Sequence, residues 1–183
     1  QLFEIAKNQP NGKTLEAKHH TSSFSKKIVD LDSIKDFASF QRHFYCATHE
    51  SIKSACKSNT NVILKNIRPA PTSAFVQEQF MQRLQQESSF FPSLVYHGTD
   101  RSNFDSILEF GFLVPNRQHP TNSKAPIIKV KHGQAFGVGI YGSQTPGYSI
   151  GYTIGINTLL ACAALPVRRK DGRSQREHGN IVV

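Results

Sequence analysis

Three short segments of the chain carry residue types suited to gripping a flat, polar, aromatic ligand. The first is His97-Gly98-Thr99. A glycine straight after the histidine leaves the backbone bare, so such a ligand can pair with its N–H and C=O. The second is Gly137-Val138-Gly139-Ile140-Tyr141-Gly142-Ser143, in which two glycines frame the start of a strand that carries Tyr141. The third is Tyr148-Ser149-Ile150-Gly151-Tyr152. Read as a helical turn, it sets Tyr148 and Tyr152 on one face, with Ser149 one turn before Tyr152. Tyrosine rings can sandwich a heterocycle while a serine hydroxyl bonds its amide. Each segment alone also has an ordinary reading: a turn after a strand, or a packed aromatic cluster.

The elements that would position these residues are legible nearby. Leu94-Val95-Tyr96 is a short apolar strand leading into His97. Thr99 or Asp100 can cap a helix whose apolar face is Phe104, Ile107 and Leu108. Gly111 is placed to end that helix in the left-handed conformation, and Phe112-Leu113-Val114 should resume as a strand. The stretch 115–134 has little regular pattern, and a loop of that length is either functional or disordered. Leu159-Leu160-Ala161-Cys162-Ala163-Ala164-Leu165 is an apolar run of strand length.

Upstream, residues 1–27 are polar and expected to be flexible at least in part. From Ile28 to about Cys56 the pattern is helical: Asp32 or Ser33 can cap a helix bearing Ile34, Phe37, Ala38 and Phe40. A strand over Asn61-Val62-Ile63-Leu64 ends at Arg68-Pro69-Ala70-Pro71, the best internal boundary. It predicts an extension over 1–69 and a domain over 70–183. In the latter, Thr72 or Ser73 caps a helix with Phe75, Val76, Phe80 and Leu84 on its apolar face.

Composition narrows the function classes. The 183 residues are 38% hydrophobic, below the usual ~45–50%, which predicts a modest core. The formal charge of +9, with a dense run at Arg168-Arg169-Lys170, Arg173 and Arg176, suits nucleic acid, an anionic membrane or a phosphate-rich ligand, or is a solvated loop. No stretch reaches the ~18 apolar residues of a membrane helix. The start lacks the apolar core of a secretory signal, and three scattered cysteines do not make a disulfide framework. These features predict an intracellular protein, cytoplasmic or nuclear. The start at Gln1, with Met81 the only methionine, and the end on Ile181-Val182-Val183 read as those of an excised piece. His43, Cys46, His49 and Cys56 count four zinc-type ligands, but their spacing fits no common finger, so ordinary partly buried side chains are expected. His19-His20 reads as a solvated pair.

In combination, the motifs resemble the NAD+ signature of the poly(ADP-ribose) polymerase-like transferases, closest to the mono-ADP-ribosylating members. The resemblance runs from about Phe75 to Val183. The pattern is met by His97-Gly98-Thr99, Asn103-Phe104, Ser106-Ile107, Gly111, Phe136-Gly137, Gly139, Tyr141 and Ser143. It implies an α+β ADP-ribosyltransferase fold, with split mixed or antiparallel sheets and flanking helices, and NAD+ as co-substrate. His97 would hydrogen-bond the nicotinamide-ribose 2′-hydroxyl. Gly98 and Ser149 would hold the carboxamide, Tyr152 would stack on the ring, and Tyr141 would form the other wall. With His97 and Tyr141 as catalytic residues and Thr99 completing the pocket, stretch 115–134 matches the family's donor loop and the 159–165 run a central strand.

The resemblance departs at one position. The family's third catalytic residue, a glutamate, lies just before a terminal strand, where this chain has Gly179. Glu177, two residues earlier, would reach the pocket only through a bulge. The resemblance therefore implies transfer of a single ADP-ribose to a protein acceptor. The alternative is a catalytically inactive relative serving as a scaffold, with nucleic acid as a further candidate partner.

Overall fold

The computed structural model describes residues 2–7, 33–58, 62–86, 91–130, 137–154, 156–165, 177–178 and 181–182. It is a mixed α+β arrangement. The strands are β1 (Leu2–Lys7), β2 (Val62–Arg68), β3 (Ser93–His97), β4 (Gly142–Ser143), β5 (Thr158–Ala164), β6 (Glu177–His178) and β7 (Ile181–Val182). The helices are α1 (Phe37–Lys57), α2 (Ala74–Gln86), α3 (Phe104–Phe110) and α4 (Pro146–Ser149). His19-His20, the basic run 168–176, Phe136 and Gly179 lie outside the described residues.

The strands follow the order β2-β1-β5-β3-β4-β7-β6, and every ladder between them is antiparallel. β5 lies inside the sheet, as its unbroken apolar run predicts for a strand covered on both faces. The β3–β4 ladder consists of one pair, Tyr96 opposite Ser143. The strands thus form one antiparallel sheet that narrows to a single residue pair at a seam between β3 and β4.

Within the polar start, Leu2–Lys7 forms a strand that the sequence did not announce; residues 8–27 lie outside the described residues. Strand β1 pairs with β2 on one side and with β5 on the other. Strands from before and after the Pro-rich stretch at 68–71 therefore share one sheet.

Helix α1 begins later than Asp32 or Ser33 would have it. Asp36 is the cap: its carboxylate accepts from the Ser39 amide at 2.7 Å, and the Ser39 hydroxyl accepts from the Asp36 amide at 3.1 Å. This reciprocal pair satisfies two otherwise orphan donors. The register then buries Phe40, Phe44, Thr48, Ile52 and Cys56 at every fourth residue, while Ala38 faces solvent. Phe40 stacks on Phe44 and meets Phe80 of α2 at 4.5 Å between ring centres. Ile52 and Cys56 pack against Tyr96, Ile150, Leu159 and Ala161. Helix α1 therefore supports the sheet directly beneath the strand that ends in His97.

Ser73 caps α2 as expected, accepting from the Val76 amide. Gly111 closes α3 with φ +79° and ψ −167°, a positive-φ conformation but not the left-handed helical one anticipated. Phe112-Leu113-Val114 does not form a strand. Both edges of β3 are already taken, by β5 and β4, so this segment has no edge of β3 to join.

Candidate functional site

The site is built at the seam of the sheet. Pairing between β3 and β5 runs to His97 opposite Leu160. On the other side, continuing the β3–β4 register would set His97 against Gly142, but the ladder stops at Tyr96. The His97 side chain takes over: its Nδ1 donates to the Tyr141 carbonyl at 2.7 Å. A carbonyl can only accept, so the proton is on Nδ1 and, in the neutral ring, Nε2 is an acceptor. Burial lowers the His97 pKa below the ordinary 6.5, against the opposing pull of the Tyr141 carbonyl, and so favours that neutral ring. The edge of Phe112 meets the imidazole at 4.8 Å between ring centres.

Gly98 stands one residue past the last β3–β5 pair, and its bareness has a structural cause. A Cβ at this position would lie 1.7 Å from the Ser149 carbonyl oxygen, so only glycine lets the two backbones meet. Ser149 ends α4 and is only 3% exposed; its hydroxyl donates to the Tyr96 carbonyl at 2.9 Å. Its proton is thus committed to β3, and what its oxygen offers a ligand is a lone pair for an amide N–H.

The other expected residues occupy the rim. Thr99 accepts a hydrogen bond from the Asn103 side chain at 2.8 Å. The Tyr141 phenol donates to the Gly137 carbonyl at 2.5 Å, pinning its ring toward the end of the long loop. Tyr152, 40% exposed, follows α4 on a 3-10 turn at Ile150–Tyr152. Its hydroxyl donates to that of Tyr148 at 3.3 Å, with the rings tilted 44° and 5.7 Å apart. That bond, more than burial, raises the Tyr152 pKa. The Arg101 amide donates to the Ile154 carbonyl at 3.0 Å, tying the turn after His97 to the segment after Tyr152.

The structure thus pairs His97 with the main chain of Tyr141 and Gly98 with that of Ser149, with Thr99 and Tyr152 on segments stitched to them. Phe112 and the Tyr96 carbonyl belong to the site and escaped sequence reasoning. A phenylalanine after the helix-ending glycine was the only available signal for the first, and a main-chain acceptor leaves none.

The other candidate ligands are accounted for separately. His43 bonds the Ser39 carbonyl and Ser33, His49 pairs with Glu50, Cys46 is exposed and Cys56 is buried. No three metal-binding side chains gather among the described residues. All three cysteines are free; burial raises the Cys56 thiol and pushes Cys162 to about 11, which keeps both protonated. Glu177 is not bulged into β7. It lies on β6, opposite Val182, one strand further from β4. No helix among the described residues is long and apolar enough to cross a membrane.

Comparison with family models, with curated proteins and with solved structures found no match. The site has to be read from its own geometry.

Proposed function

We propose that the chain has a PARP-like ADP-ribosyltransferase fold, binds NAD+ at the seam, and transfers one ADP-ribose to a protein acceptor with release of nicotinamide. One observation carries this reading. Three motifs far apart in sequence meet at one place, through His97 to the Tyr141 carbonyl and Gly98 against Ser149.

The residues present suit the chemistry. Cleaving the nicotinamide–ribose bond develops positive charge on the ribose carbon while a neutral group leaves, so positioning outweighs acid strength. Neutral His97 offers Nε2 as an acceptor for the ribose 2′-hydroxyl. The backbone of Gly98 and the lone pair of Ser149 suit a carboxamide, which both donates and accepts. Tyr152 presents an exposed ring on which nicotinamide can stack.

The second reading, an inactive scaffold, is favoured by Gly179 at the position of the family's glutamate and by Glu177 lying on β6. Incubation of the chain with labelled NAD+ and a protein mixture separates the two. Label transferred to protein and lost in His97→Ala and Tyr152→Ala supports transfer. Binding without label transfer supports the scaffold.

A further inference from the structure

We infer that the loop at 115–130 is a contact surface for an anionic lipid bilayer, an assignment that does not rest on NAD+ binding. The charge pattern is the first ground. No Asp or Glu occurs between Glu109 and Asp171, while Arg117, Lys124 and Lys129 punctuate the loop. All three are exposed, and none has an acidic partner within ion-pair distance among the described residues.

The second ground is that the loop is a built frame. The Asn116 amide donates to the Ile128 carbonyl at 2.8 Å and closes its neck, with Asn116 at φ +59°. The Gln118 side chain spans the interior, donating to the carbonyls of Asn122 and Ala125 at 3.2 Å each. Ala125 is buried, and His119 meets the Phe75 ring of α2 edge-on. Arg117 and Lys129 therefore flank the neck, with Lys124 at the far turn.

The third ground selects the partner. Beside the cations the loop exposes aliphatic side chains, Ile127 at 60% between Lys124 and Lys129 and Val130 at 37% just after Lys129. It contains no Phe, Tyr or Trp on which a nucleic-acid base would stack. Fixed cations beside exposed aliphatics suit a surface that is anionic outside and apolar just beneath, as a bilayer containing acidic lipid is.

The test is flotation of the purified chain with phosphatidylcholine vesicles and with mixed phosphatidylcholine–phosphatidylserine vesicles. The chain should float with the mixed vesicles only, and less at high salt. At about fivefold per basic residue, Lys124→Glu with Lys129→Glu should weaken that binding by about twentyfold or more. Ile127→Ser with Val130→Ser should weaken it by roughly tenfold while leaving the salt dependence in place. Circular dichroism confirms that these exposed-loop variants keep their fold. Equal flotation with neutral vesicles, no flotation, or unchanged binding by the charge-reversed variant would overturn the inference. So would a single-stranded oligonucleotide that binds through the same lysines when vesicles do not.

Discussion

At the scale of the residue, the site depends on two contacts that admit little substitution. Gly98→Ala would press a methyl group into the Ser149 backbone, which cannot swing aside as a side-chain end can. Its expected cost is about 2 kcal/mol or more, read as a shift of the urea midpoint at constant slope. His97 makes a pH prediction. Its native pKa is depressed by burial, so the native state holds the ring neutral where the unfolded chain takes up a proton. The associated stability is present above the unfolded value of 6.5 and is lost as pH falls through the native value. Thermal unfolding of the wild type should therefore drop more steeply below pH 6.5 than that of His97→Gln, and parallel curves would contradict the assignment. The types and order of these residues were legible in the sequence, because each motif is local. The direction of the Ser149 proton was not, since its acceptor is a main-chain oxygen at Tyr96.

At the scale of the element, what could be read from the sequence divides along the same line. Helix α2, strand β3, the turn holding Tyr148 and Tyr152, and strand β5 carry their own periodicity or punctuation. Strand β1 does not: Leu-Phe-Glu-Ile-Ala-Lys becomes a strand by pairing with residues far along the chain, at 62–68 and 158–160. The reverse error at Phe112-Leu113-Val114 has the same root, since strand propensity is idle without an edge to join. A direct prediction follows from β1. A fragment beginning at residue 70 would lack β1, β2 and α1, leaving an edge of β5 unpaired and Tyr96 and Leu159 without Ile52 and Cys56. It should show no cooperative thermal transition, whereas the whole chain should. A fragment that melts as sharply as the whole chain would mean that the seam and its helices stand without the first three elements.

At the scale of the molecule, the two parts of the sheet meet at a single residue pair, and the regular geometry of a paired ladder gives way there to side-chain bonding. The polar groups there bond one another, His97 to the Tyr141 carbonyl and Ser149 to the Tyr96 carbonyl, which leaves the acceptor lone pairs of His97 Nε2 and the Ser149 hydroxyl for a ligand. The long loop leaves from Phe112, against His97, and the chain returns through Gly137, bonded to Tyr141. Occupancy of the seam by a ligand should raise the melting temperature in proportion to the logarithm of its concentration above the Kd. The most direct test of the central claim is calorimetric titration of the chain with NAD+ and with a benzamide that mimics nicotinamide, alongside Tyr152→Ala. Saturable binding of both by the wild type, lost in the variant, is the predicted result. A folded wild-type chain that binds neither would contradict it, leaving the seam as architecture without a nucleotide site.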